Sequence, residues 1–247
     1  MTGKSRRNLR QITLARAISK FGWGSRTEAV KLILHGRVRV NAKIVRLPSL
    51  WIDPAEDRIS LDGKVLQRKK FKYLVMNKPA GVVTTRADEL GRRTVYDLLP
   101  DDSQRLFPIG RLDRDTSGLL LFTNDTRFGE TVTNPVTKIS KTYRVVVDRN
   151  LDFEDKKKME SPFRLNEKTL LHPAKVSASP SNPRQFEITI VEGKNRQIRR
   201  MCERLGYQIL SLCRISIGAV KLGKLKEGSM RSLTKEERDS VISFAKA

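Results

Sequence analysis

Histidine is nearly missing from this chain, with two in 247 residues, His35 and His172. They are far apart and neither sits beside a carboxylate motif, which disfavours a histidine-based hydrolase or nuclease. Cysteine is equally sparse. Cys202 and Cys213 have no metal-ligand spacing and read as reduced thiols of a cytoplasmic protein. No apolar run is long enough to span a membrane. The opening stretch MTGKSRRNLR carries charge but no apolar segment after it, so no secretory signal is expected there. Acidic residues are scarce too, with 27 Asp and Glu against 50 Lys and Arg.

The remaining charge is therefore strongly positive, +23 in total. Solubility needs far less than this. The excess points to a polyanionic partner, most simply nucleic acid, bound through its phosphates. No Lys-rich amphipathic helix with an aromatic face suggests a membrane surface instead. The charge is uneven. Residues 1–72 hold 18 basic and 5 acidic side chains, a net +13, and residues 73–247 hold 32 and 22, a net +10. That bias predicts a nucleic-acid module at the N-terminus.

Local patterns support a split. ITLARAISKF (12–21) places Ile12, Ala15, Ile18 and Ser19 on one helical face. Ser25 and Glu28 form a capping-box pattern, opening a helix that turns Ala29, Leu32 and Ile33 inward and stops near Gly36. RVRVNAKIV alternates, with Val38 and Val40 on one side and Arg37, Arg39 and Asn41 on the other. RISLDGKVL predicts a strand and a turn at Asp62-Gly63. QRKKFK (67–72) reads as a short basic linker. Beyond it the texture is strand-rich. KYLVMNKPAGVVTT suggests strand, turn, strand, and TVYDLL a short helix. LFPIG, LLLFT, KTYRVVVD and RQFEITIVEG suggest further strands, as does 207–220. DFEDKKKMESPF and NRQIRRMCERLG suggest helices, and Thr234 with Glu237 forms another capping-box pattern. The class expected is α+β with much antiparallel sheet.

GRLDRDTSGLLLFTND (110–125) is the least ordinary stretch. Asp113, Asp115, Ser117 and Gly118 have the spacing that opens an EF-hand calcium loop. The context is wrong. The bidentate glutamate position holds Asn124, LLLFT reads as a buried strand, and Arg111 and Arg114 would repel a cation. A polar turn between strands is the plainer reading and suits Asp115, Thr116 and Ser117. Asp113 differs, because it follows a strand directly and has arginines on either side, whose charge favours a carboxylate. In a basic protein such a carboxylate is a candidate covalent nucleophile.

This stretch, with NKPAGVVTT, KTYRV and EGKNRQIRRM, resembles the signature of the pseudouridine synthases of the ribosomal-RNA type. The four blocks occur in that family's order over residues 75–201. GWGSRTEAVKLILHGRVRVNAKIV resembles the S4-type RNA-binding domain, although ITLARAISK departs from the Arg-Leu-Asp usual near that domain's start. The resemblance implies an S4-like domain over 8–66, the linker over 67–72, and over 73–247 a mainly antiparallel catalytic domain with two subdomains and a central cleft. It implies conversion of a uridine in ribosomal RNA to pseudouridine by base flipping, without cofactor or metal. EGKNRQIRRMCERLGY leans toward the large-subunit (23S) branch over the small-subunit one.

Residue roles follow from the same resemblance. Asp113 is the expected nucleophile, adding either to the base or to C1′. Tyr143 is expected to stack on the flipped base, and its alternation with Val145 and Val147 puts it on an inward strand face. In the helix after EGKN, Ile198, Met201, Cys202 and Leu205 form the apolar stripe. Arg199 borders it and is expected to pair with Asp113, with Ile198 beside the base. Arg196, Arg200 and Arg204 fall on the opposite, exposed face, where Arg196 and Arg200 are expected to contact phosphate. Arg111 is expected to fill the gap left by the flipped base. Lys78 and Lys141 are expected to support the cleft. Arg26, Arg37 and Arg39 are the RNA-facing candidates of the N-terminal module. The expected partner is thus ribosomal RNA, and the enzyme is expected in the cytoplasm and taken by default as a monomer, since its sequence does not show an oligomeric state. A non-catalytic assembly factor has no need of Asp113 with its Arg and Tyr partners. An RNA methyltransferase lacks its glycine-rich cofactor loop.

Overall fold

The structure is a computed structural model, and it describes residues 11–67, 71–103 and 106–244. Half of the linker, residues 68–70, and the charged start of the chain lie outside the described residues. The chain divides into two compact units, one ending at Phe71 and the other beginning at Lys72.

The smaller unit runs β1 (Ile12–Thr13), α1 (Leu14–Lys20), α2 (Arg26–Leu34), β2 (Val38–Val40), β3 (Lys43–Ile44), β4 (Trp51–Ile52), β5 (Ile59–Leu61) and β6 (Lys64–Val65). α1 starts later than its periodicity suggests. Ile12 is extended and pairs with Ile52, so the buried helical residues are Leu14, Ala15, Ala17 and Ile18, with Ser19 half-buried. α2 begins on the expected capping box: Glu28 N donates to Ser25 Oγ at 3.2 Å and Ser25 N to Glu28 Oε2 at 2.7 Å. The sheet order is β3-β2-β5-β6. Asp62 and Gly63 turn β5 into β6 with φ of +48° and +79°, the paired positive φ of a type I′ hairpin. Val38, Val40 and Ile59 point down onto Leu14, Ile18, Ala29 and Ile33, which closes a core. Each such fully buried side chain stabilises the unit by about 1.5–3 kcal/mol in transfer terms.

The larger unit runs β7 (Tyr73–Lys78), β8 (Phe107–Pro108), β9 (Ser117–Thr123), α3 (Thr126–Thr133), β10 (Lys141–Val147), α4 (Phe153–Met159), β11 (Phe163–Asn166), β12 (Thr169–Leu171), β13 (Lys175–Ala178), β14 (Gln185–Ile190), α5 (Gln197–Arg204), β15 (Ile209–Ile217), β16 (Val220–Lys221), β17 (Met230–Ser232) and α6 (Lys235–Phe244). TVYDLL forms a 3-10 turn over Val95–Leu98. Residues 82–85 do not make the second strand read from VVTT. Val83 forms a single bridge to Thr94, and the Thr84 hydroxyl is spent on Leu112.

One sheet organises this unit, in the order β13-β14-β10-β15-β9-β7-β17, with β16 on β15 and β8 on β9. Every pairing in it is antiparallel except β9 with β15, which meet in parallel through Ser117↔Cys213 and Gly118↔Arg214. That short seam separates two halves with their own cores. On one side Val145, Phe186 and Ile188 pack with Met201 and Cys202 of α5. On the other, β9 is buried on both faces, with Leu119 and Leu121 against Phe128 and Val132, and Leu120 and Phe122 against Met76 and Val95. Burial on both faces explains the unbroken LLLF run. Tyr143 packs against cores on both sides of the seam. Among the described residues no helix is long and apolar enough to cross a membrane.

Candidate active site

A cavity of about 1010 Å³ lies at this seam, lined by Arg111, Asp113, Tyr143, Ile198, Arg199 and Arg214 among others. GRLDRDTSG enters it as a loop fixed by backbone anchors on both sides of Asp113. The Thr84 hydroxyl donates to Leu112 O at 2.8 Å, and Leu112 N donates back to it at 3.3 Å. Gly81 N donates to Arg114 O at 2.8 Å. Lys78 Nζ donates to Pro79 O and Val82 O at 2.7 Å and to Arg114 O at 3.2 Å. Thr116 N donates to Asp113 O at 3.1 Å, closing the turn. So NKPAGVVT wraps the loop that carries Asp113 from outside. Lys78 is fully buried, and loss of hydration pushes its ammonium down to about 8, partly opposed by Asp115 and Asp113. Its placement matches a supporting role.

Asp113 itself keeps 38% of its side chain exposed. Arg199 Nε and Arg196 Nη1 each stand 3.9 Å from its Oδ2. The Arg199 fork is anchored elsewhere: Nη2 donates to Asp115 O at 2.9 Å and Thr116 Oγ1 at 3.1 Å, while the buried Nε has no hydrogen-bond partner among the described residues. Arg199 therefore faces Asp113 with a free donor, while its Nη2 is held by two acceptors of the same loop. Asp115 turns away and pairs with Arg114 at 2.9 Å, which holds its carboxyl below the usual range.

The helix α5 departs from the face assignment drawn from periodicity. Arg196 is not opposite the apolar stripe. It precedes the first turn with φ of +47°, and this bend swings it over Asp113. Arg200 is half-buried rather than exposed and does not line the cavity, while Arg204 is exposed. Ile198 is buried and does line it. Gln197, unmarked by the sequence, is buried. Its Nε2 donates to Glu192 Oε1 at 3.0 Å and its Oε1 accepts from Lys194 N at 3.1 Å, which shapes the bend before α5.

Arg214 went unnoticed in the sequence, because in LSLCRISI it reads as one polar residue of an alternating strand. It is 4% exposed, yet it lines the cavity. Its Nε donates to Leu119 O at 2.7 Å, across the seam. Its Nη1 donates to the Tyr143 hydroxyl at 3.4 Å. In the smaller unit Arg26, Arg37 and Arg39 are exposed as expected. Arg37, however, spends its fork on Asp62, with Nε donating to Oδ1 at 3.0 Å and Nη2 to Oδ2. That leaves Arg26 and Arg39 without a carboxylate partner among the described residues.

The chemistry available is specific. A carboxylate, a half-buried phenol ring, several guanidinium groups and the imidazole of His172 share one pocket large enough for a nucleotide. Residues 72–204 match the family model described as RNA pseudouridylate synthase, and residues 14–59 match that of the S4 domain. The chain is 37% identical over 227 residues to ribosomal large subunit pseudouridine synthase B of Bacillus subtilis (strain 168), covering 91% of this chain and 93% of that protein. It is 34% identical over 238 residues to an uncharacterized RNA pseudouridine synthase of Aquifex aeolicus (strain VF5), covering 92% of each. A crystal structure of a pseudouridylate synthase superimposes with a TM-score of 0.68 at 30% identity, covering 93% of this chain and 99% of the other.

Proposed function

Because the chain belongs to the RNA pseudouridylate synthase family and carries an S4 domain, we propose that it isomerises a uridine of large-subunit (23S) ribosomal RNA, with Asp113 as nucleophile. The observation that carries this reading is the Asp113 carboxylate, fixed by its loop anchors and faced by Arg199 and Arg196 in the pocket that holds Tyr143.

The reaction breaks the bond from C1′ to N1 of uracil and forms one from C1′ to C5. C5 gives up a proton as it bonds to C1′ and N1 gains one, so the reaction is an isomerisation and no oxidant or group donor is consumed. The uridine leaves its stack to expose these atoms, at a cost of a few kcal/mol. Exposed Arg111 at the pocket wall takes the vacated place in the RNA. Tyr143 offers a ring face to the flipped base, and Ile198 packs beside it. Such stacking stabilises a base by about 1–3 kcal/mol. Arg199 aims the Asp113 carboxylate, and Arg196 adds a second positive charge at the mouth. Arg200, with Arg26 and Arg39 of the smaller unit, serves the phosphate backbone, giving affinity that falls with salt. The enzyme acts as a monomer in the cytoplasm.

The choice of large-subunit RNA rests on the Bacillus subtilis relative and on the wording of EGKNRQIRRM. Mapping pseudouridines in ribosomal RNA from cells with and without this chain tests it. Loss of a 23S pseudouridine is expected. Loss confined to small-subunit RNA, or an unchanged map, would contradict the assignment.

A further inference from the structure

Two of the cations that line the cavity, Arg214 and Lys141, have no ion pair with a carboxylate among the described residues. Arg214 is 4% exposed, its Nη2 has no partner among the described residues, and its guanidinium carbon lies 5.9 Å from the centre of the Tyr143 ring. Lys141 stands two residues before Tyr143 on β10 and also lines the cavity. Among the described residues its Nζ donates only to a neutral acceptor, Ile139 O, at 3.0 Å. Burial, and then the nearby Arg214 charge, push its ammonium below the usual range. A buried charge loses hydration, and proteins ordinarily offset that with a hydrogen-bonded partner of opposite sign. Arginine has no second way out, since it does not give up its proton. Of the two carboxylates lining the cavity, Asp113 lies within ion-pair range of Arg196 and Arg199, and Glu192 Oε1 accepts from His172 N and Gln197 Nε2.

The positive charge beside Tyr143 thus waits for a charge that develops during turnover. When the C1′–N1 bond breaks, its electron pair leaves with the base. Uracil then carries a negative charge spread over N1, O2 and O4, and the matching positive charge at C1′ is taken up by the Asp113 carboxylate, whose bond to C1′ breaks again when C5 attacks. No proton moves in that step. A phosphate is the poorer fit, because the backbone of the RNA is served by arginines outside this pocket, Arg200, Arg26 and Arg39, while Arg214 is 4% exposed and lies beside the ring that receives the base. We propose that Arg214 and Lys141 form an anion subsite that stabilises the detached uracil until it turns and rejoins the sugar through C5, after which the C5 proton leaves to solvent and N1 takes one up. This rests on the reading of the chain as a uridine-isomerising enzyme.

The test compares wild type, Arg214→Gln, Arg214→Lys and Lys141→Met in single-turnover assays. The substrates are large-subunit ribosomal RNA transcribed with uridine or with 5-fluorouridine. Fluorine at C5 withdraws electrons and makes the base a better anionic leaving group, so it substitutes in part for a missing cation. On uridine RNA, Arg214→Gln is expected to lower the rate of C1′–N1 cleavage on the order of 100-fold with RNA affinity unchanged. Arg214→Lys recovers part of it, because the charge is restored. On 5-fluorouridine RNA the deficits of Arg214→Gln and Lys141→Met shrink several-fold. A residue that merely shaped the pocket would lower both rates alike. Equal deficits on the two RNAs, in whichever of these two variants folds, would overturn the proposal. Wild-type turnover on uridine RNA reports separately on the functional reading beneath it.

Discussion

Replacing Gly118 by alanine should unseat the loop that carries Asp113. A Cβ there would lie 2.3 Å from Arg214 O, 2.7 Å from Arg214 N and 2.9 Å from Cys213 Sγ. Two of these are backbone atoms of β15, in the parallel pairing that joins the halves of the sheet. They cannot yield without opening the seam. The φ of Gly118 is +102°, a region where an L side chain costs about 1–2 kcal/mol. Overpacking adds about 1–3 kcal/mol, toward the upper end for immovable backbone. The sum is about 4 kcal/mol. For a unit of this size each kcal/mol lowers Tm by roughly 2–4 °C, so a fall on the order of 10 °C is expected. Gly223 is the control: its φ is +60° but nothing lies within 4 Å of the added carbon, so only the conformational cost applies. Thermal unfolding of the full chain by circular dichroism, following the transition of the larger unit, separates the two. Equal shifts for Gly118→Ala and Gly223→Ala would refute the close-approach reasoning.

Other outcomes follow from the same contacts. Arg199→Ala should lower the single-turnover rate far more than RNA affinity, and Arg199→Lys should rescue it poorly. A single ammonium lacks the flat fork that holds Asp115 O and Thr116 Oγ1 while facing Asp113. Arg200→Ala should weaken binding instead, and identical behaviour of the two alanine variants in both assays contradicts this division. Deleting residues 1–66 should leave the larger unit folded, since its core clusters contain nothing before Tyr73. The deletion should flatten the dependence of RNA affinity on salt; an unchanged slope rules out a binding role for the smaller unit. Lys78 titrates near 8 in the folded chain and at its ordinary 10.5 unfolded, so between these values the unfolded chain binds more protons. Its burial penalty is fully present below about pH 8 and is relieved as pH rises toward 10.5. Urea midpoints at about pH 7 and about pH 10 should show that rise in wild type and lack it in Lys78→Met; equal pH dependence contradicts it.

What the sequence made legible was local. The Ser25 and Thr234 capping boxes, the alternation of β2 and the apolar stripe of α5 each depend on residues a few positions apart, and each is present. The family blocks marked the stretches that carry Asp113, Tyr143 and Arg199, and the cavity brings these together. What stayed hidden depends on distant contacts. Arg214 belongs to the site because β15 pairs in parallel with β9, from a part of the chain about a hundred positions earlier. Arg196 was misplaced because helical periodicity does not hold at a residue with φ of +47°. Residues 82–85 have the composition of a strand, yet Thr84 bonds the backbone beside Asp113 in place of a strand partner. Arg37 has the exposed look of a phosphate ligand, and its pairing with Asp62 joins residues from two different strands' ends.

The most direct measurement is single-turnover pseudouridine formation by Asp113→Asn on large-subunit ribosomal RNA, beside Asp115→Asn. A carboxamide keeps the shape of the side chain and the loop anchors but is no nucleophile. With Asp113→Asn, no pseudouridine should form while RNA affinity and thermal unfolding match wild type. Asp115→Asn should be much milder, because that carboxylate pairs with Arg114. A near-normal rate of isomerisation by Asp113→Asn would contradict the assignment of Asp113 as the nucleophile.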